Sequence, residues 1–212
     1  MGAFRVEGYA IVSSDGMIAD ADGVMPNSLK FDADQRFLEA CLDNADLLVH
    51  GRKSHEGQPG SAIRRRLIMT RRVAKLEGAS SDMPNAWLWN PAGVALEGAC
   101  RSLGLSEGVI HVIGGTAVYD LFLGRYDEFN LCRAGEVKLP GGTPVLSQAG
   151  RGFSPEEVLS LHGLEPGPTE ALDPVHDLTY VRWAPIAHEA RFSVRGRARS
   201  RANDAAEDMT GP

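Results

Sequence analysis

Short apolar runs, each ending in glycine or polar residues, recur along most of the chain. Apolar runs of four to eight residues between turn-forming residues are typical of buried strands. This pattern predicts strands over residues 5–14, 46–50, 66–70, 86–89 and 109–113. The glycines that follow several of these runs mark the points where the chain turns.

Helical spacing of apolar positions fills two of the intervals between these strands, at residues 32–43 and 91–103, and follows the last strand at residues 116–123. Asp32 with Gln35 gives the first helix a cap-like start. Its apolar side chains then lie on one face, at Phe37, Leu38, Cys41 and Leu42. Pro91 opens the second predicted helix, and Gly104 follows its end.

The order of these elements is β-α-β repeated, followed by a strand of mixed polarity at 127–139 and shorter strands after Phe153. It predicts an α/β fold with a largely parallel sheet, helices on both faces and an antiparallel edge. A long loop over residues 17–31 interrupts the pattern. We expect one domain over residues 1–189 and a disordered or loosely docked arginine-rich tail over 190–212.

The bulk composition excludes several classes of function. The formal net charge of -6 argues against broad nucleic-acid binding, which needs a basic surface. The chain has no apolar stretch of membrane-spanning length and no signal-peptide pattern, so we expect no membrane partner. Cys41, Cys100 and Cys132 are predicted to be buried free thiols, which fits a cytoplasmic protein.

The glycine pair Gly114-Gly115 directly follows the most strand-like run, and the helix at Thr116 begins at once. Glycines let a ligand approach the backbone closely, and the free amides of a helix N-terminus favour anions such as pyrophosphate. A tight turn that uses glycine for its geometry alone explains the same residues equally well. The Gly-x-Gly-x-x-Gly pattern of dinucleotide-binding folds is absent.

Two further strands end in groups that suit phosphates. Gly51 is followed by Arg52 and Ser54, and the strand at 66–70 ends in Thr70 and Arg71. Arginine binds phosphate through its forked guanidinium, and hydroxyls add hydrogen bonds. Ligands of open α/β sheets bind outside the carboxyl ends of the strands, so three such ends together indicate a phosphate-rich ligand.

Acidic candidates follow the first loop at Asp32 and Asp34. A carboxyl at the edge of an apolar pocket can act as a proton donor or as a substrate anchor, whereas helix capping explains Asp32 alone about as well. The histidines have no metal-ligand spacing, so no metal site is expected, and His111 is interpreted as a core residue. Nucleophile-elbow and Walker-type motifs are absent.

Four segments together resemble the dihydrofolate reductase superfamily, and within it the reductase domain of the riboflavin-pathway deaminase–reductase. They are Ser13-Ser14-Asp15-Gly16-Met17-Ile18-Ala19, Asp46 to Ser54, Ile113 to Tyr119, and Asp127-Glu128-Phe129 leading to Leu139-Pro140-Gly141-Gly142-Thr143-Pro144-Val145. Their order and spacing carry the resemblance, which covers about residues 5–185.

The resemblance implies a three-layer dihydrofolate-reductase-like fold with a mixed, mostly parallel sheet of about eight strands, and NADPH as the hydride donor. It implies a nicotinamide near Ile11, Val12 and Gly16, and cofactor phosphates near Gly51, Arg52, Lys53, Ser54, Thr70, Arg71 and the turn and helix start at Gly114, Gly115, Thr116 and Ala117. Homodimers are common in the riboflavin branch, so a homodimer is expected.

The chain departs from the folate enzymes at Met25-Pro26-Asn27, where those enzymes usually have Met-Pro-Trp. This difference argues against dihydrofolate and favours 5-amino-6-(5-phosphoribosylamino)uracil or a related heterocycle, with Asp32 or Asp34 orienting it or supplying a proton. Two alternatives stay open. One is a dihydrofolate or other pterin reductase, and the other is a non-catalytic ligand-binding or dimerisation module on the same fold.

Overall fold

The computed structural model describes residues 4–54 and 60–186, so the predicted tail at 190–212 lies outside the described residues. The strands are β1 (Phe4–Ser13), β2 (Met17–Ala19), β3 (Leu47–Gly51), β4 (Arg66–Met69), β5 (Leu76–Gly78), β6 (Ala86–Trp89), β7 (Gly108–Val112), β8 (Glu128–Ala134), β9 (Thr143–Pro144), β10 (Leu164–Asp173) and β11 (Leu178–Pro185). The α-helices are α1 (Asp32–Asp43), α2 (Leu96–Ser102), α3 (Thr116–Phe122) and α4 (Pro155–Leu161).

Nine of these strands form one sheet in the order β10-β11-β8-β1-β7-β3-β4-β6-β5. The central strands, from β8 to β6, pair in parallel. Antiparallel pairs close both edges, with β5 on β6 at one side and β11 and β10 beside β8 at the other. The predicted mixed, mostly parallel sheet is therefore confirmed, with one strand more than the expected eight.

Two apolar cores cover the two faces of this sheet. Alternation along β1 sends Val6, Ala10 and Val12 into one core, whereas Tyr9 and Ile11 enter the other. Helices α2, α3 and α4 contribute buried side chains to the first core, and α1 contributes to the second. The three-layer arrangement with helices on both faces is thus confirmed.

Two helix starts differ from those expected. Helix α1 has the predicted bounds, but its N-cap is Phe31, without a side-chain hydrogen bond, so Asp32 does not cap it. Helix α2 begins at Leu96 rather than at Pro91. The intervening residues form a turn on Asn90, whose side-chain oxygen accepts a hydrogen bond from Ala92 N at 3.1 Å and competes with helix formation.

Three elements lie where no such element was expected. The 17–31 loop contains β2, which pairs with β9 from the Pro140–Pro144 turn. Strand β5 forms an edge, and α4 lies in the region expected to hold only strands. Helix α4 begins with a capping box between Ser154 and Glu157, so its local signal was present in the sequence.

The cysteines have no disulfide, and two of the three are buried as predicted. Cys100 and Cys132 are buried, whereas Cys41 is only partly covered. His111 is buried in β7, and its Nε2 lies 3.1 Å from a carboxylate oxygen of Glu7, which agrees with its interpretation as a core residue. Among the described residues, no helix has the length and apolar character that crossing a bilayer requires.

Candidate active site

The carboxyl ends of the paired strands β3 and β7 lie next to each other. Two glycines that were predicted to lie near the cofactor phosphates, Gly51 and Gly114, are in contact there. Gly51 N donates a hydrogen bond to Gly114 O at 2.8 Å. A Cβ built on Gly51 would lie 3.7 Å from both Gly115 N and Ser54 Oγ. Two segments more than sixty residues apart in the chain therefore form one patch, in which Gly114 is buried and Gly51 and Gly115 are partly exposed.

Gly114 needs to be glycine for a reason independent of any ligand. Its φ of +122° lies where side-chain-bearing residues are strained. A Cβ there would also lie 3.2 Å from the hydroxyl of Tyr119. Gly115, in contrast, has an extended backbone and serves as the N-cap of α3, with a hypothetical Cβ 3.8 Å from Ser54 Oγ.

The start of α3 presents the backbone of Thr116 and Ala117 beside this patch. The first amides of a helix have no partner within it. The Thr116 hydroxyl is already engaged, because it donates to the carbonyl of Pro144 in β9. Since α3 has only seven residues, its dipole is a weaker attraction for anions than the sequence argument assumed, and open access to the backbone is the stronger feature.

The basic residues that were predicted to bind phosphate lie near the same carboxyl ends of the strands. Gly51 pairs with Met69 in the β3–β4 register, so Arg52 and Thr70 leave neighbouring strands together. Arg52, Lys53 and Arg71 are exposed, whereas Thr70 is buried and its hydroxyl accepts a hydrogen bond from Arg72 N at 3.2 Å. Within the described residues, none of these exposed cations pairs with a carboxylate, so their charge faces solvent.

The first loop begins where β1 ends, and the residues expected near a nicotinamide divide between two faces there. Ile11 packs into the core with α1, whereas Val12 is fully buried in the opposite core. Gly16, at φ +84°, turns the chain into β2, and a Cβ on it would lie 3.0 Å from Pro155 of α4. Helix α4 therefore supports the loop directly.

A groove of about 560 Å³ opens between this loop and the start of α3. Its lining combines the β2–β9 ribbon with small residues of the following turns, namely Met17, Thr116, Gly141, Gly142, Thr143, Pro144, Ser147, Gly150 and Arg151. Gly142 has no space for a side chain, because a Cβ would lie 2.3 Å from the carbonyl oxygen of Ala19. The third and fourth segments of the resemblance thus meet here.

The two candidate acids have different surroundings. Asp32 is exposed in the first turn of α1. Asp34 is only 5% exposed, and its Oδ1 accepts a hydrogen bond from the hydroxyl of Tyr9. Burial raises the pKa of Asp34 to about 6, although hydrogen bonds from Tyr9 and Cys132 act in the opposite direction. Asp34 is therefore the candidate acid whose pKa the fold changes, and it does not line the groove described above.

Sequence reasoning missed Tyr9 and Cys132, which contact this acid, and Tyr119, which contacts Tyr9. Tyr9 belongs to the apolar alternation of β1, and Cys132 lies beside it in β8 with its Sγ 3.3 Å from the Tyr9 hydroxyl. The Tyr119 hydroxyl donates to the carbonyl of Tyr9 at 2.6 Å. No local pattern marks such contacts, because they join residues more than a hundred positions apart.

Comparison with solved structures identifies this architecture. The chain matches dihydrofolate reductase from Enterococcus faecalis, complexed with NADP(H) and RAB-propyl, at 16% identity and a TM-score of 0.57, over 85% of this chain and 95% of that one. The chain has the dihydrofolate reductase-like fold. This confirms the fold implied by the sequence resemblance.

The dihydrofolate reductase-like fold also matches a diaminohydroxyphosphoribosylaminopyrimidine deaminase/5-amino-6-(5-phosphoribosylamino)uracil reductase from Thermotoga maritima. Identity there is 14% and the TM-score is 0.58, over 86% of this chain but only 56% of that bifunctional protein. No protein-family model and no curated protein matches the sequence. At such low identities the likeness concerns the fold.

Proposed function

We propose that this protein is an NADPH-dependent reductase that transfers a hydride to a heterocyclic or ribosyl substrate, in the manner of 5-amino-6-(5-phosphoribosylamino)uracil reductases. The observation that carries the proposal is the patch where Gly51 meets Gly114 and Gly115, beside the exposed Arg52 and Arg71. The NADP(H) complex of the Enterococcus faecalis enzyme, which has this fold, supports the choice of cofactor. A cytoplasmic homodimer belongs to the same proposal.

The residues around the patch fit a dinucleotide phosphate. The backbone of Gly115, Thr116 and Ala117 leaves access for a pyrophosphate, with Gly51 and Ser54 alongside, and buried Gly114 shapes the turn. Arg52, Lys53 and Arg71, with Thr70, would hold the 2′-phosphate, because exposed guanidinium groups bind such oxyanions in a fork. Gly16 and Ile11 would border the nicotinamide, together with the backbone of Val12.

The bound NADPH would supply the hydride, and the protein would supply position and a proton. Asp34 is the better of the two candidate acids, because burial raises its pKa to about 6 and makes the proton available near neutral pH. Asp32 lies in the first turn of α1 and is exposed to solvent. Asp34 would orient the substrate or donate the proton that completes the reduction.

Titration of the protein with NADPH and with NADH, followed by the quenching of tryptophan fluorescence, tests the cofactor assignment. We expect NADPH to bind more tightly, and Arg71→Gln to weaken NADPH about tenfold or more with little effect on NADH. Arg65→Gln is the matched control, since Arg65 is an exposed arginine at the opposite end of β4. Equal, weak responses to the two cofactors would contradict the 2′-phosphate assignment.

NADPH oxidation with 5-amino-6-(5-phosphoribosylamino)uracil and with dihydrofolate then tests the reaction. We expect turnover of the uracil compound and a loss of at least a hundredfold in kcat for Asp34→Asn. Faster turnover of dihydrofolate would move the assignment to a pterin substrate. NADPH binding without oxidation across a panel of pterins and pyrimidines would favour the non-catalytic module instead.

A further inference from the structure

The carboxyl of Asp34 is held by a side chain to which the proposed function gives no role. The hydroxyl of Tyr9 donates to Asp34 Oδ1, and its oxygen lies 3.3 Å from Cys132 Sγ. Tyr9 is 3% exposed and Cys132 is fully buried, so water cannot replace either contact. A phenol has one proton, and the hydrogen bond to Asp34 Oδ1 uses it.

Burial keeps the two groups beside Asp34 protonated. Burial raises the pKa of the Tyr9 phenol and of the Cys132 thiol, and the negative charge of Asp34 raises both further. Both groups are therefore protonated at neutral pH and act as donors. Both groups lie against Asp34, and hydrogen bonds from Tyr9 and from Cys132 each lower the pKa of its carboxyl.

Tyr9 is itself fixed from two sides. The Tyr9 carbonyl accepts a hydrogen bond from the Tyr119 hydroxyl at 2.6 Å. The Tyr119 hydroxyl also lies beside Gly114 of the glycine turn. The Tyr9 ring packs against Phe37 of α1, with the ring centroids 5.7 Å apart. The phenol thus has little freedom to leave Asp34, and it connects α1 with the strand beside the glycine turn.

Among the described residues, the other titratable groups around this cluster form no hydrogen bond to the Asp34 carboxyl that could take the place of the one from Tyr9. Tyr180 of β11 directs its hydroxyl to Asn130 Oδ1 at 2.7 Å. Glu7, two residues before Tyr9, pairs with His111 and Arg5, and Asp32 is exposed on the same helix turn as Asp34. Cys41 on α1 and Tyr119 on α3 feel the charge of Asp34, and burial raises the pKa of each.

We propose that Tyr9 is the positioning residue for Asp34, orienting its carboxyl and stabilising its ionised form. The importance of this for the reaction rests on the proposed function, because it requires Asp34 to act on the substrate. The effect of Tyr9 on Asp34 does not depend on any substrate. It can therefore be measured on the protein alone.

The test follows the Asp34 carboxyl by ¹³C NMR across a pH titration, with its resonance assigned from Asp34→Asn. In Tyr9→Phe we expect the pKa of Asp34 to rise by about one unit, roughly tenfold in proton affinity, because the ionised form loses a hydrogen bond. Tyr180→Phe is the matched control. It removes a hydroxyl of another buried tyrosine from the same core without touching Asp34.

A rise in Tyr9→Phe that is absent in Tyr180→Phe supports the proposal, and no rise, or an equal rise in both, overturns it. Substitution of all tyrosines by 3-fluorotyrosine provides a second measurement that retains every ring. The more acidic phenol donates more strongly, so the pKa of Asp34 should fall, and an unchanged value contradicts the proposal.

The pH profile of kcat/KM for NADPH oxidation then distinguishes the effect of Tyr9 on Asp34 from the proposed part of Asp34 in the reaction. The limb that reports Asp34 should move to higher pH in Tyr9→Phe by the amount that NMR measures. If NMR records the rise and the profile does not move, Tyr9 still positions Asp34, and the proposed part of Asp34 in the reaction is wrong.

Discussion

Asp34 is ionised at neutral pH, and its side chain is almost completely buried. Its raised pKa means that the folded state binds a proton more tightly than the unfolded chain does. The stabilisation from that proton is complete below the unfolded pKa of 3.8 and is lost as pH rises through about 6. Ionisation of Asp34 therefore lowers the stability of the fold near neutral pH relative to acidic pH.

Asp34→Asn is expected to remove this pH dependence, because the amide has no proton to lose. The free energy of unfolding of the parent protein should fall by about 2 kcal/mol relative to the variant between pH 4.5 and 7.5. Urea unfolding of both proteins at the two pH values measures the difference. A constant difference would mean that Asp34 titrates normally.

Gly114→Ala tests the glycine turn at the same scale. The new Cβ would occupy a backbone conformation that disfavours side chains and would lie 3.2 Å from the Tyr119 hydroxyl, so we expect a loss of about 1–2 kcal/mol and weaker NADPH binding. Gly104→Ala is the control, since its φ of +75° is also positive but no atom lies near its Cβ. It should lose stability and retain NADPH affinity. Equal NADPH affinity in the two variants would remove Gly114 from the cofactor site.

Helix α4 supports the first loop at the scale of elements. Pro155 at its start contacts the position of Gly16, and Glu156 pairs with Arg133. Arg133 also donates to the carbonyls of Ser13 and Ser14, at 3.2 and 2.9 Å, where β1 ends. A helix absent from the sequence prediction thus fixes the strand end beside which a nicotinamide would lie.

Ser154→Ala removes the cap of α4. We expect a loss of about 1 kcal/mol in the free energy of unfolding, because the amide of Glu157 loses its acceptor. Ser160→Ala, at an exposed position of the same helix, should be neutral or slightly stabilising. Urea unfolding distinguishes the two, and equal effects would show that the capping box contributes nothing.

In the molecule as a whole, both apolar cores and all nine strands of the large sheet lie within residues 4–186. The strand order brings β1 and β7 to the centre of the sheet. The first loop, the glycine turn and the basic strand ends therefore lie together at the carboxyl ends of the parallel strands. The site therefore depends on the complete sheet. The predicted domain boundary at residue 189 agrees with this distribution and is still a prediction.

A chain ending at residue 189 is expected to unfold at the same urea concentration as the full chain, since it retains every described core residue. A change above about 0.5 kcal/mol would show that residues 190–212 contribute to folding. Light scattering on the same samples tests the expected homodimer. A dimer in the full chain but not in the shortened one would make the arginine-rich tail an interaction arm.

The sequence by itself determined the central strands, α1 and the phosphate-binding candidates at three strand ends. Local periodicity is enough for these features, because a buried strand or an amphipathic helix needs apolar residues at fixed spacing. The helix start at Pro91 was wrong because the Asn90 turn competed with it. Helix α4 was missed although Ser154 and Glu157 carried its signal.

Only the tertiary structure decided which candidates meet. It brought Gly51 to Gly114, paired β2 with β9, and separated buried Asp34 from exposed Asp32 two residues away. It also placed the Tyr9 hydroxyl on Asp34. Desolvation and hydrogen bonds between distant segments set these properties, and both arise only when the sheet has assembled and excluded water.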